Sequence, residues 1–415
     1  MRFLNKVEYY LPFYLPFLLI FSRTIADFTV VLISLLFLYK SYFDNNFEWS
    51  KSIFFKIIII FFIYLITINS YVSSDSTDTL IYSLSFIRWP IFAMAITYWI
   101  FKEEKAFKKL LGSIMICLIF FLVHIWYQYL SGSPGNFGFF INNHPNRLLV
   151  PFTNNPIAGR FLIFYSFLLL TLYFLIKKIN KGEISFFIVL VILLIGLFST
   201  FITGERMSFL IYLSSSLFIM CGAIIENKKY FYLSLSLIIF ASLIFALFFN
   251  NDPDKFNRII FSSYQSIKNF SESDYGMVFN TSFEKWKNNY LFGGGLHQFK
   301  SIQPIYGYGI GENSLIYHAH NLPLNLLVET GLFGLILFYS FILLILIPII
   351  KRIIHSKNKK NFLLFCSLLN LLYVCFFPLH THFKLSHNWI NATTWLIIGL
   401  IFAMINIYEK NIKNK

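Results

Sequence analysis

Apolar residues run along this chain in long unbroken blocks, not in the alternating or one-faced patterns of soluble elements. A helix of about 20 such residues crosses the hydrocarbon core of a bilayer, within a range of about 17–25. Blocks of this kind fall at roughly 7–22, 25–40, 53–69, 81–101, 110–130, 157–176, 184–203, 207–225, 230–249, 322–350, 361–378 and 388–407, with the first of marginal length. Barrel strands would be shorter and would alternate in polarity, whereas these blocks are apolar on every face. The pattern predicts an all-α polytopic integral membrane protein of about 12 transmembrane helices. It forms one transmembrane domain over residues 1–415, with a large loop subdomain at 250–320 on one side. A second long loop, 131–156, is rich in Gly, Asn and Pro.

Composition agrees with the pattern. The 415 residues are 57% hydrophobic, 20% aromatic and 13% charged, with a mean hydropathy of +0.66. Soluble domains have about 45–50% apolar and about 25% charged residues, so soluble, disordered and collagen-like classes are excluded. The net charge of +15 does not indicate nucleic-acid binding, because the basic residues sit in short blocks between apolar runs. Lys102 to Lys105, Lys177-Lys178, Lys228-Lys229 and Lys357 to Lys360 are examples. With both termini inside, 22 of the 34 Lys and Arg fall on the inner side, as the positive-inside rule expects. Six more lie in the 250–320 loop, and the last six are Arg23, Arg88, Arg147, Arg160, Arg206 and Lys384. Lysine dominates inside, whereas five of these last six are arginine, so the outer arginines need another explanation. The four cysteines (Cys117, Cys221, Cys366, Cys375) lie inside apolar runs, with neither metal-ligand nor disulfide spacing. No small-residue cleavage site precedes Arg23, so the first block reads as a retained helix.

The richest chemistry lies at His318 to Gly334. A polar loop ends at His320, Asn321 is placed as an N-cap, and Pro323 occupies the first turn of a span. Asn321, Asn325 and Glu329 are four apart and share one helix face. Gly331 and Gly334 are expected to let a neighbouring helix approach. A helix N-terminus with a histidine beside it suits an anion. The plainer alternative is a loop histidine before a capped helix, with Glu329 paired to an arginine.

Arg206 follows Thr203-Gly204-Glu205 in an almost loopless turn between two blocks. A membrane-edge arginine points to function, unless it pairs with Glu205 or snorkels to lipid phosphate. Its planar fork fits a phosphate or pyrophosphate better than a lysine does. Arg147 and Arg160 flank another outer segment, and Arg88 lies just inside the outer end of its helix. Five outer arginines together suggest an anion-binding vestibule. His318 and His320, with His380, His382 and His387 of the last outer loop, offer nitrogen ligands, but no zinc motif accompanies them. No metal site is assigned.

In motif order the chain resembles the O-antigen ligase and polymerase superfamily of bacterial envelope enzymes. The carriers are His320-Asn321, nine residues, then Gly331-Leu332-Phe333-Gly334. The preceding Leu291 to Phe299, with Gly293-Gly294-Gly295, is similar to the family's glycine-rich segment. Thr203-Gly204-Glu205-Arg206 resembles its Thr-x-Ser-Arg step, and Asn154-Asn155-Pro156 with Arg160 its Asn-Pro element. Glu205 departs from the usual Ser. The family's extra arginine ahead of the glycine segment is missing from Phe279 to Trp286, which leaves Arg258 as its counterpart.

The resemblance implies a glycan donor on a polyprenyl pyrophosphate carrier and a glycolipid or glycan acceptor. The site would face the periplasm from the bacterial inner membrane, with no cofactor, metal or nucleotide required. His320 is then the general base. Arg206 neutralises the leaving pyrophosphate, with Arg160, Arg88, Arg147, Arg258, Asn321, Glu329 and His318 around donor and acceptor. A ligase and a polymerase share these motifs, and the complete His-Asn to Gly-x-x-Gly spacing favours a ligase. A transporter or flippase for lipid-linked sugars would instead place polar groups at mid-membrane.

Overall fold

The computed structural model describes residues 2–132, 147–151, 156–251, 253–300, 318–355, 361–378 and 384–413. Most of these residues are helical, with no strand among them. In chain order they are α1 (Arg2–Phe21), α2 (Arg23–Phe43), α3 (Ile53–Tyr64), α4 (Ser76–Phe86), α5 (Arg88–Ala95), α6 (Glu104–Ser131), α7 (Ala158–Ile179), α8 (Phe186–Ile202), α9 (Arg206–Glu226) and α10 (Tyr230–Asn251). They continue as α11 (Pro253–Phe256), α12 (Ser262–Lys268), α13 (Asp274–Lys287), α14 (Leu322–Ile354), α15 (Phe362–Phe376) and α16 (Asn388–Lys413). A π-helical turn, Leu65–Asn69, extends α3, and another, Ile96–Ile100, extends α5.

Among the described residues, eight helical stretches are long and apolar enough to span a membrane: Arg23–Phe43, Ser76–Ile100, Glu104–Ser131, Ala158–Ile179, Arg206–Glu226, Tyr230–Leu247, Leu322–Ile354 and Asn388–Asn411. Three shorter apolar helices, Ile53–Asn69, Phe186–Ile202 and Phe362–Phe376, accompany them. The remaining block of the sequence pattern, its first, corresponds to α1, which carries Arg2, Lys6 and Glu8 and is not among these eleven. Backbone groups in lipid must be satisfied within the element, which is why apolar blocks of this length become helices. α7 and α16 are central, with 89% of an 18-residue apolar stretch of each buried, whereas α10 lies at the rim with 17% of its stretch buried. Trp89, Trp99, Trp389, Trp395 and Tyr212 are the largest fully buried side chains. Three cysteines are buried and Cys221 is exposed, and all four are free thiols.

Contacts between helix ends define two ends of the bundle. At one, Gly159 at the start of α7 donates to Glu205, just before α9. The Arg160 guanidinium lies close to Cys375 at the end of α15. The Leu322 amide, opening α14, donates to Pro378 O just beyond α15 (3.1 Å). Arg88 bonds Asn388, the first residue of α16 (2.9 Å), and Asp27 near the start of α2 (3.1 Å). At the opposite end Lys178 pairs with Glu226 and Arg352 with Glu409, and Lys109 donates to Tyr9 O. His320 and Arg206 therefore share one end, and the lysine-rich helix termini occupy the other.

Candidate active site

The turn between α8 and α9 reverses the chain in three residues, with Gly204 at φ +73°, a left-handed conformation glycine adopts without steric penalty. Outside groups hold the turn. Thr203 O accepts from the Leu148 amide at 3.0 Å, and Gly204 O accepts from Arg258 Nε at 3.2 Å. The Glu205 carboxylate accepts from the Gly159 amide at 2.6 Å and from Ser208 Oγ at 2.8 Å. A Cβ on Gly159 would stand 2.8 Å from that of Ser208, so only glycine lets α7 approach this closely. Burial raises the Glu205 carboxyl to about 7, opposed by Ser208, the Gly159 amide, Arg147 and Arg160. This gives the glutamate a structural task where the superfamily usually has Ser.

The expected alternative of an Arg206–Glu205 pair is not realised, because Glu205 turns inward. Arg206, the first residue of α9, is partly buried and forms no hydrogen bond or ion pair with a described residue. Arg258 lies within electrostatic reach of both Arg206 and Arg147. Burial first, then the charges of Arg147 and Arg206, lower the Arg258 pKa. Three guanidinium groups thus converge on the α8–α9 turn. Arg160 is buried in the first turn of α7, its guanidinium 4.4 Å from the Phe164 ring centroid and near Glu205. Arg88 stands apart, committed to Asp27 and Asn388 and lying over Trp89 at 4.7 Å. A charge already matched by a carboxylate is a poor anion ligand, so the vestibule reduces to the Arg206 group.

The start of α14 follows the sequence expectation at its cap and departs from it below. Asn321 is the N-cap, its Oδ1 accepting from the Leu324 amide at 3.0 Å, and Pro323 lies in the first turn. His320 just before it is left-handed, at φ +50°, a conformation uncommon for a non-glycine residue and often tied to a functional constraint. The His320 and His318 rings are 4.0 Å apart.

Gly331 does not serve a neighbouring helix. At φ +66°, ψ −175° it breaks α14, and residues 290–295 dock into the break. The Gly294 and Gly295 amides reach Val328 O and Glu329 O, both at 2.9 Å. The Leu332 and Phe333 amides reach Tyr290 O (2.9 Å) and Leu291 O (3.1 Å). The backbone groups released by the break are satisfied by the glycine segment instead of by water. Gly334 admits Tyr64, whose ring edge would lie 3.1 Å from a Cβ there.

The glycine segment is fastened by residues to which the sequence assigns no role. Tyr64 Oη donates to Thr330 O (2.6 Å) and Phe292 O (3.0 Å). Asn69 Nδ2 donates to Phe292 O and Glu329 O, both at 2.9 Å, and Asn69 Oδ1 accepts from the Leu296 amide at 3.0 Å. Next to it the His297 ring stacks on Tyr82 with centroids 3.6 Å apart and meets Asp78 at 3.0 Å. Gln298 also donates to Asp78, at 2.7 Å. A buried asparagine inside an apolar block was the one local signal available for Asn69.

Glu329 does not pair with an arginine among the described residues. It is buried and accepts from Asn325 Nδ2 at 2.9 Å. The backbone amides of His297 and Phe299 face its carboxylate, and Lys384 is the cation acting on it. His380 and His382 lie outside the described residues. Burial, with Arg23 and Lys384 adding to it, lowers the His387 ring to about 4. Among the described residues no three His, Cys, Asp or Glu side chains converge as a metal site.

No curated protein matches the chain. Residues 189–339 match a family model described as O-antigen ligase. That stretch contains Arg206, Arg258, the glycine segment, His320-Asn321 and the Gly331–Gly334 pair, while Arg88, Arg147 and Arg160 precede it. The resemblance to the O-antigen ligase and polymerase superfamily is thus shown over the part of the chain that carries most of its motifs.

Proposed function

We propose that the protein is a membrane glycan transferase of the O-antigen ligase type. It takes a glycan from undecaprenyl pyrophosphate and attaches it to a hydroxyl of lipid A core or a similar glycolipid, on the periplasmic face of the inner membrane. The acceptor oxygen attacks the anomeric carbon as the carbon–oxygen bond to pyrophosphate breaks, so the anomeric configuration inverts. His320 takes the hydroxyl proton, its unperturbed pKa lying near working pH. The pyrophosphate lipid departs as an anion, and Arg206 receives it through charge-assisted hydrogen bonds, with Arg258 and Arg147 adding positive field. The transfer needs no metal or nucleotide, since the leaving group is already activated.

One observation carries this reading. Arg206 has no partner among the described residues, stands beside Arg258 and Arg147, and shares its end of the bundle with His320. Arg206 and Arg258 repel one another at close range, and an anion bound between them would relieve that repulsion. Deleting the gene and analysing envelope glycans tests the proposal. A ligase predicts long glycan chains that never reach the acceptor. Single repeats on the acceptor would indicate a polymerase instead, and lipid-linked repeats trapped on the cytoplasmic face would indicate a flippase.

A further inference from the structure

His320 is held in its left-handed turn by its two neighbours, and both are bonded to Asn325. The Ala319 amide donates to Asn325 Oδ1 at 3.3 Å, and the Asn325 amide donates to Asn321 O at 2.8 Å. Asn325 Nδ2 donates in turn to Glu329 Oε2 at 2.9 Å. The orientation of the Asn325 side chain is fixed by these partners, since its oxygen must face the Ala319 donor and its nitrogen the carboxylate. Glu329 then faces the His297 and Phe299 amides of the glycine segment. Asn325 and Glu329 are each only 1% exposed, so water cannot replace a lost partner and neither side chain reaches a substrate.

We infer that Asn325 and Glu329 are positioning residues: their buried relay locks the His320 turn to the glycine segment and thereby sets where the imidazole points. The inference rests on the proposed role of His320 as general base, and moves Glu329 from the substrate-binding set to this one.

Donor and acceptor complementarity supplies the test. Glu329→Gln leaves one acceptor atom, so turning the new side chain either way sets its NH2 against the Asn325 NH2 or against the backbone amides. Asn325→Asp keeps the Ala319 bond but sets a second carboxylate against Glu329. The double variant Asn325→Asp/Glu329→Gln restores every hydrogen bond of the relay with the net charge unchanged. Its carboxylate, now on the first turn of α14, would accept from the Ala319 amide and from the NH2 of the new amide side chain one turn below. The oxygen of that amide would accept from the glycine segment.

Each single substitution should lower kcat about tenfold or more with the donor KM unchanged, the scale of a lost hydrogen bond to a charged group. The double variant should return to within about threefold of wild type, the mark of direct coupling. A second readout needs no transfer activity. The rate at which diethyl pyrocarbonate modifies His320, followed by peptide mass spectrometry, should change in both single variants and recover in the double. Wild-type kcat and His320 reactivity in the single variants would overturn the proposal. So would a double variant no better than either, including one that fails to insert. If His320→Ala itself retains transfer, the general-base reading fails, while the modification rates still decide the relay.

Discussion

Gly331→Ala probes the break in α14, where backbone conformation and contact act together. A residue with a Cβ at φ +66°, ψ −175° carries conformational strain of roughly 1–3 kcal/mol. The new Cβ would also lie 2.3 Å from Leu291 O and 2.5 Å from Gly293 N. Both are backbone atoms that cannot rotate away, so overpacking adds about 1–3 kcal/mol. The four main-chain bonds of the docked segment are worth about 0.5–1.5 kcal/mol each. Strain and docking are therefore of similar size. Closing the break would return the freed groups of α14 to intrahelical bonds, which tips this balance toward a straightened α14 that releases residues 290–295. Trypsin should then cleave readily at Lys287 and Lys300, and transfer should fall by at least about tenfold, since about 1.4 kcal/mol already gives that factor. Helix content by circular dichroism should stay unchanged. Gly112→Ala, where a Cβ meets nothing within 4 Å, is the control and should be neutral. A Gly331→Ala protein with wild-type trypsin resistance and transfer would refute the account of the break.

Arg206→Lys keeps the charge but loses the fork, so a transfer assay should show most of the activity gone; near-native rates would make Arg206 a lipid anchor. Tyr64→Phe removes the donor to Thr330 O and Phe292 O and should destabilise the detergent-solubilised protein by about 1–3 kcal/mol, measured by thermal unfolding; an unchanged midpoint would contradict the stapling role. Lys285 is buried on α13 and donates to Phe299 O at 2.9 Å, and burial lowers its pKa from 10.5 to about 8. The unfolded chain holds this proton more tightly, so stability relative to Lys285→Met should rise as pH increases from about 8 to 10.5. A difference independent of pH would refute that burial cost.

The helices and the Asn321 cap were legible because their causes are local. Apolar block length sets a span, and an asparagine ahead of a proline-containing first turn sets a helix start. The break at Gly331 was hidden because Gly-x-x-Gly also describes a small-residue helix face. Its true partner, Leu291 to Gly295, lies some 40 positions earlier along the chain. Tyr64 and Asn69 act on residues more than 220 positions away, a separation no local pattern records. The outer arginines were legible as a set but not as individuals. Asp27 takes Arg88 out of the vestibule, whereas the inward turn of Glu205 leaves Arg206 available, and both results depend on tertiary packing.

Glycan transfer is best measured in proteoliposomes given a polyprenyl-pyrophosphate-linked glycan and a glycolipid acceptor. Wild-type protein should join them with inversion, while folded His320→Ala protein should form no product. Product formed by His320→Ala at a rate comparable to wild type would contradict the general-base role of His320.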